Sequence, residues 1–200
     1  MLRIYYADFS ALDLGDNYPL SLYRAERMKN IKHKAKLRES LGAELLLNYA
    51  ARELVPDIVL PLDIVCGGMY GKPALKGGAF EFSISHSGDF VAVAVADAVL
   101  GLDIQMQRPC NIELARRFFS RDETAALESS VDADAYFTEL WCSKESYIKA
   151  QGRGLSAGLN KFSVINMPDI WHDKIGDYHF AVCIPGLYNV SPDIITRIEL

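Results

Sequence analysis

Valine and alanine alternate through Phe90–Ala96, FVAVAVA. A period of two is that of an extended strand, and these residue types suit a strand with one face packed closely against a helix. Phe80–Ser85, FEFSIS, reads as a second strand, and His86-Ser87-Gly88-Asp89 as the turn between them, so residues 80–96 form a hairpin. Leu2–Phe9 alternates and is rich in Ile and Tyr, which makes it an opening strand. Val99–Gln105 is a further strand, and Lys161–Asn166, Tyr178–Ile184 and Ile194–Leu200 read as strands that close the chain.

Helices fall between these strands. Ser21 is placed to cap a long helical region with a basic first part, Leu22–Lys36, carrying Arg24, Arg27, Lys29, Lys32, Lys34 and Lys36. Its second part, Leu37–Leu54, sets Leu41, Leu45, Leu46, Tyr49 and Ala50 at helical spacing and is amphipathic. Ile112–Phe119 is a short helix. Ser120 with Glu123 fits a capping box for the next, Asp122–Glu128. Ala133–Ala150 is a long helix that runs out in Gly152-Arg153-Gly154. Pro56, Pro61, Gly67, Gly68, Gly71, Pro73, Gly77 and Gly78 mark a loop-rich middle.

The pattern is that of an α+β protein of two similar lobes, residues 1–100 and 101–200, although no sequence repeat is visible. Half of the 200 residues are hydrophobic, enough for a packed core. A net charge of −5 argues against a general nucleic-acid binder. None of Cys66, Cys110, Cys142 and Cys183 is spaced as a zinc ligand pair or CxxC, which fits reduced thiols in a cytoplasmic protein. MLRIYYADFS is not a signal peptide, and no stretch approaches the ~20 apolar residues of a spanning helix, so no membrane role is expected.

Chemistry concentrates in two stretches. In GLDIQ, Gly101–Gln105, alternation puts Gly101, Asp103 and Gln105 on one strand face. In WCSKESYIKAQGRG, Trp141–Gly154, Glu145 and Lys149 are one helical turn apart. Two carboxylates plus an amide carbonyl suit Mg²⁺, which takes one or two carboxylates with water and substrate phosphates, and suit zinc poorly. Lys144, Lys149, His86, Arg24, Arg27 and Arg38 supply cations for a phosphate-rich ligand. The chemistry implied is displacement at phosphorus. No P-loop, dinucleotide fingerprint or nucleophile elbow is present. Singly, each residue has a plainer reading: His86 as a turn residue, Asp103 as a cap, Glu145 and Lys149 as a surface ion pair worth ~0.3–0.5 kcal/mol.

Four motifs occur in order: YGKP (Tyr70–Pro73), FSISHSGDFVAVA (Phe82–Ala94), GLDIQ, and WCSKESYIKAQGRGLS (Trp141–Ser156), with ARRFFSRDE (Ala115–Glu123) between the last two. Together they resemble the Sfp-type 4′-phosphopantetheinyl transferases, from about Ser21 to Phe162. The resemblance implies a monomer of two similar α+β lobes related by a pseudo-two-fold, with the active site in the cleft between them. It implies Mg²⁺-dependent transfer of the 4′-phosphopantetheine of coenzyme A to a serine of an acyl or peptidyl carrier protein, with release of 3′,5′-ADP. By the same resemblance Asp103, Gln105 and Glu145 hold the metal, with Gln105 standing where many members have a third acid. Glu145 is the candidate base, and Lys149 stabilises the departing phosphate. Ser85, His86, Gly71, Lys72, Pro73, Arg38, Arg24, Arg27 and Lys144 meet the coenzyme, while Trp141 packs. Rival readings are a catalytically degenerate coenzyme A-binding module, motivated by Gln105, and a Mg²⁺-dependent nucleotide diphosphate hydrolase.

Overall fold

The computed structural model describes residues 1–15, 17–67, 71–152 and 158–199. Tyr70 of the YGKP turn, Arg153, Gly154, Leu155 and Ser156 of the long-helix motif, and Leu200 at the end of the last expected strand lie outside them. The protein is α+β. The first half runs β1 (Leu2–Asp8), α1 (Leu22–Met28), α2 (Lys34–Leu54), β2 (Ile64–Gly67), β3 (Lys72–Leu75), β4 (Glu81–Ser87) and β5 (Phe90–Ala96). The second runs β6 (Gly101–Met106), α3 (Ile112–Phe118), α4 (Arg121–Glu128), α5 (Ala133–Gln151), β7 (Ile170–Ile175), β8 (Tyr178–Cys183) and β9 (Ile194–Arg197).

Among these strands one sheet has the order β4-β5-β1-β9 and another β6-β8-β7, while β2 and β3 pair separately. The alternation in β5 decides how the layers stack. Val91, Val93 and Val95 join Leu46, Leu47, Ala50 and Ala51 of α2 in one apolar cluster. Ala92, Ala94 and Ala96 join Leu102 and Ile104 of β6 and Phe180 and Val182 of β8 in another. The small face therefore meets the second sheet and the Val face meets the helix. The order across the molecule is α2, first sheet, second sheet, α5. On β6 the apolar pair Leu102 and Ile104 packs between the sheets, while Gly101 lies under α5, where an added Cβ would be 2.0 Å from the Ser146 carbonyl oxygen. That close approach brings the polar positions of β6 against the helix that carries Glu145 and Lys149.

Serines of β4 stitch the halves together. Ser83, Ser85 and Ser87 share a face, and each bonds to β6: Leu102 N–H donates to Ser83 Oγ at 2.9 Å, Ser85 Oγ donates to Asp103 Oδ1 at 2.7 Å, and Met106 N–H donates to Ser87 Oγ at 2.9 Å.

Several elements differ from the sequence expectation. The basic helical region breaks at residues 29–33 into α1 and α2. Lys29, Lys32 and Lys36 would stack as like charges three and four apart on a continuous helix, which disfavours one. Ser21 does cap α1, accepting from the Arg24 N–H at 3.2 Å. His86 and Ser87 belong to β4, so the turn shrinks to Gly88-Asp89, with Gly88 at φ 58°. No strand forms at 161–166. A 3₁₀ turn at Leu159–Lys161 leads into a segment whose backbone groups bond to side chains: the Leu159 and Phe162 carbonyls to Lys144, and the Val164 N–H to Glu123. The capping box at Ser120 and Glu123 is present, and α5 ends at Gly152 with φ 62°. The last strand leaves the second half: β9 pairs in parallel with β1. No helix among the described residues is long and apolar enough to cross a membrane.

Candidate active site

Asp103 is 2% exposed, and its carboxylate is held from three sides. Oδ1 accepts from Ser85 Oγ at 2.7 Å and from the Lys149 ammonium at 2.6 Å; Oδ2 accepts from Gln105 Nε2 at 2.9 Å. A carboxylate only accepts, so the Gln105 amide has to turn its NH₂ towards it. Lys149 Nζ also donates to Ser85 Oγ at 2.9 Å and to the Leu102 carbonyl at 3.0 Å, which uses its three donors. This is a part-buried ion pair supported by hydrogen bonds, unlike an exposed pair held by one contact.

Glu145 lies one turn before Lys149. Burial pushes its carboxyl above the usual carboxylate range, the Asp103 charge adds to the rise, and Lys149 opposes it. Cys142, one turn earlier still, is fully buried; desolvation and the nearby Asp103 hold its thiol well above its ordinary value, which disfavours the nucleophilic thiolate. Among the described residues no group of three or more His, Cys, Asp and Glu is set to hold a metal. The set available is two mutually repelling carboxylates and a neutral amide. That donor chemistry fits Mg²⁺, which completes its shell with water and substrate phosphates, and an ammonium already rests on Asp103 as a partner cation.

Beside this group, on the helix side of β4, is a cleft of ≈ 550 Å³ lined by residues that include Arg24, Arg27, Lys36, Glu39, Pro73 and His86. Alternation along β4 separates Ser85 from His86: the serine meets Asp103, and the imidazole enters the cleft. His86 Nδ1 is 3.2 Å from Glu39 Oε2. Although the ring is half-exposed, desolvation by the surrounding walls holds its pKa below the ordinary value, with Glu39 opposing. His86 also feels Lys36, Lys149 and Asp103, which places the cleft within electrostatic reach of the acidic group. Arg24 is nearly buried, and its Nε donates to Glu44 Oε2 at 3.4 Å.

The structure thus gathers Asp103, Gln105, Glu145, Lys149 and Ser85 at one point, and Arg24, Arg27, Pro73 and His86 around the cleft. Three expected ligand residues point elsewhere. Lys144 is fully buried, paired with Glu123 at 2.7 Å, and donates to the Leu159 and Phe162 carbonyls, so its charge organises the second half and does not reach the cleft. Arg38 is on another side of α2 from Lys36 and Glu39, and its Nε donates to the Leu12 carbonyl at 2.9 Å. Lys72 Nζ donates to the Leu100 carbonyl at 2.7 Å, and Gly71, at φ 70°, serves the turn before β3. Trp141 packs among Phe118, Phe119 and Phe137, as expected. Lys36 and Glu39 also line the cleft, although they belong to none of the sequence motifs. Lys36 is one of several lysines in a basic run, and only the break between α1 and α2 decides which of them faces the cleft.

Residues 99–180 match the sequence profile of the 4′-phosphopantetheinyl transferase superfamily. A 4′-phosphopantetheinyl transferase of Bacillus subtilis is 32% identical over 201 residues, spanning 90% of this chain and 87% of that protein. The 4′-phosphopantetheinyl transferase psf-1 of Bacillus pumilus is 34% identical over 78% of this chain and 67% of its own length. The 4′-phosphopantetheinyl transferase AcpT of Salmonella typhimurium is 31% identical over 74% and 81% respectively. With that extent of similarity, and with an acid–lysine group beside a cation-lined cleft, the chain belongs to the 4′-phosphopantetheinyl transferase superfamily.

Proposed function

We propose that this protein transfers the 4′-phosphopantetheine of coenzyme A to a serine of an acyl or peptidyl carrier protein and releases 3′,5′-ADP. The observation that carries the reading is the grouping of Asp103, Ser85, Glu145 and Lys149 within electrostatic reach of His86, which lines a cleft with Arg24, Arg27 and Lys36, in a member of this superfamily. The carrier serine oxygen attacks the β-phosphorus of the coenzyme's diphosphate, and the bond from that phosphorus to the bridging oxygen breaks. The electron pair leaves with 3′,5′-ADP. Glu145 takes the serine proton, directly or through water; its raised pKa makes it a better base than an ordinary carboxylate. Lys149 offers its ammonium to the departing phosphate. Asp103 and Glu145, with Gln105 beside them, would hold Mg²⁺, which when bound neutralises and orients the diphosphate oxygens.

We place the protein in the cytoplasm as a monomer. Its four cysteines are free thiols, which supports a reducing compartment. The carrier is expected to be acidic, and Arg116 and Arg117 on α3 are both exposed and basic. Arg117 lies over the Phe118 ring, whereas Phe119 is buried under Trp141 and is not available for docking.

The test is the intact mass of an apo acyl carrier protein after incubation with this protein, coenzyme A and Mg²⁺. A gain of one phosphopantetheine, lost in Glu145→Ala, is the expected result. Coenzyme binding without transfer to any of several carriers would instead identify a degenerate binding module and put Gln105 at the centre of the explanation.

A further inference from the structure

The cation-lined cleft already contains an anion of its own. Glu39 sits on α2 one turn after Lys36, and both of its oxygens take the lysine ammonium, Oε1 at 2.9 Å and Oε2 at 2.8 Å. Such a pair three residues apart on a helix is ordinary and would carry nothing alone. A third partner sets this one apart: His86, from β4, brings Nδ1 to 3.2 Å from Glu39 Oε2. Two elements on different sides of the cleft thus converge on one carboxylate. The Glu39 side chain is only 16% exposed, against 58% for Lys36, so the carboxylate lies within the cleft.

A carboxylate is the nearest side-chain mimic of a phosphate, with oxygens that accept from the same N–H donors. The other carboxylate near this cleft plays a different part. Glu44 is fully buried, accepts the Ser21 N–H at 2.6 Å as well as Arg24, and is built into the packing of α1 on α2. Arg27 makes no ion pair among the described residues and lies over the Tyr23 ring at 5.5 Å. A phosphorylated ligand entering the cleft therefore meets Arg27 without a competitor, but has to take Lys36 and His86 from Glu39.

We infer that Glu39 is a resident stand-in for a ligand phosphate and sets the affinity of this cleft for phosphorylated ligands. It holds Lys36 and His86 in place while the cleft is empty, and by its charge it weakens the binding of both coenzyme A and 3′,5′-ADP. This rests on the transferase reading for the identity of the ligand. The expected consequence is faster product release at the cost of a higher coenzyme KM.

The test is calorimetric binding of coenzyme A and of 3′,5′-ADP to the wild type, Glu39→Gln, Lys36→Met and the double variant, with melting temperatures as folding controls. Removing one like charge next to the phosphate site is expected to tighten both ligands about tenfold in Glu39→Gln. Lys36→Met is expected to weaken them, and the double variant to lose most of the gain, because the two side chains act as a pair. An unchanged Kd in Glu39→Gln, within about twofold, reduces Glu39 to a helix ion pair and overturns the inference. Weaker binding in that variant overturns it too, because Glu39 would then be a ligand contact. Binding of neither compound by any of the proteins sinks the transferase reading and this inference with it.

Discussion

Lys149 and Lys144 lie five residues apart on one helix, and their surroundings give them opposite work. Lys149 is part-buried where it meets Ser85 and Asp103, and in the proposed function its ammonium is offered to an incoming phosphate. Lys144 is enclosed with Glu123, and replacing it with Met would leave a carboxylate buried without its cation. Lys144→Met is therefore expected to cost about 3–5 kcal/mol in urea unfolding, while the Kd for coenzyme A of the folded protein stays unchanged. An effect on ligand Kd without loss of stability would contradict this assignment. Glu145 makes a second prediction. Its folded pKa is raised above the ordinary 4.5, so the folded state binds this proton more tightly than the unfolded chain does. That preference contributes stability below the ordinary carboxylate pKa and is lost as pH rises through the elevated value. In chelator-containing buffer, Glu145→Gln is expected to melt with the wild type in acid and above it at neutral pH. If the variant melts lower at neutral pH, Glu145 is not desolvated as described.

At the scale of elements, the site depends on how closely α5 approaches β6. Gly101 permits that contact, because a Cβ there would be 2.0 Å from the Ser146 oxygen and 2.3 Å from the Ala150 nitrogen. Gly101→Ala is expected to lose roughly 1–3 kcal/mol and to lower kcat as well, since moving α5 carries Glu145 and Lys149 away from Asp103. Urea unfolding and the carrier mass assay check the two parts separately. Gly42 plays a comparable packing role between α2 and the residue that follows β1, where a Cβ would be 2.5 Å from the Phe9 ring. The Glu-x-x-x-Lys spacing on α5 and the alternation of GLDIQ were legible as faces of single elements. That those two faces meet was not, because the β6–α5 contact joins residues more than forty positions apart and local periodicity carries no such information.

At the scale of the molecule, the first sheet is completed by a strand from the far end of the chain. Asp193 accepts the Leu2 N–H at 2.8 Å and donates its own N–H to the Leu2 carbonyl at 2.7 Å, just before β9 pairs with β1. Truncation after Ser191 would expose the β1 edge. It is expected to lower the melting temperature and to produce concentration-dependent association on size exclusion. The proposed carrier-docking face also belongs to this scale. Arg116 already pairs with Glu113 and Glu128, so its charge is partly neutralised, while Arg117 lies over the Phe118 ring and makes no ion pair among the described residues. Reversing both to Glu is expected to raise carrier KM several-fold with coenzyme Kd unchanged; an unchanged carrier KM would place docking elsewhere.

Alternation in β5, the Ser21 cap, the capping box at Ser120 and the Gly152 stop are properties of a few neighbouring residues, and the sequence determined them by itself. The order of motifs also carried the family, because chemistry constrains residue type and spacing directly. What the tertiary structure decided was direction. Ser85 and His86 are adjacent, yet strand alternation sends them to opposite sides of β4. Lys144 and Arg38 are cations that the family resemblance assigns to the coenzyme, yet burial and a backbone carbonyl claim them first. Lys36 and Glu39 became visible only when α2 was laid against β4. A side chain's partner is set by which long-range surfaces pack together, and that packing is a property of the whole core.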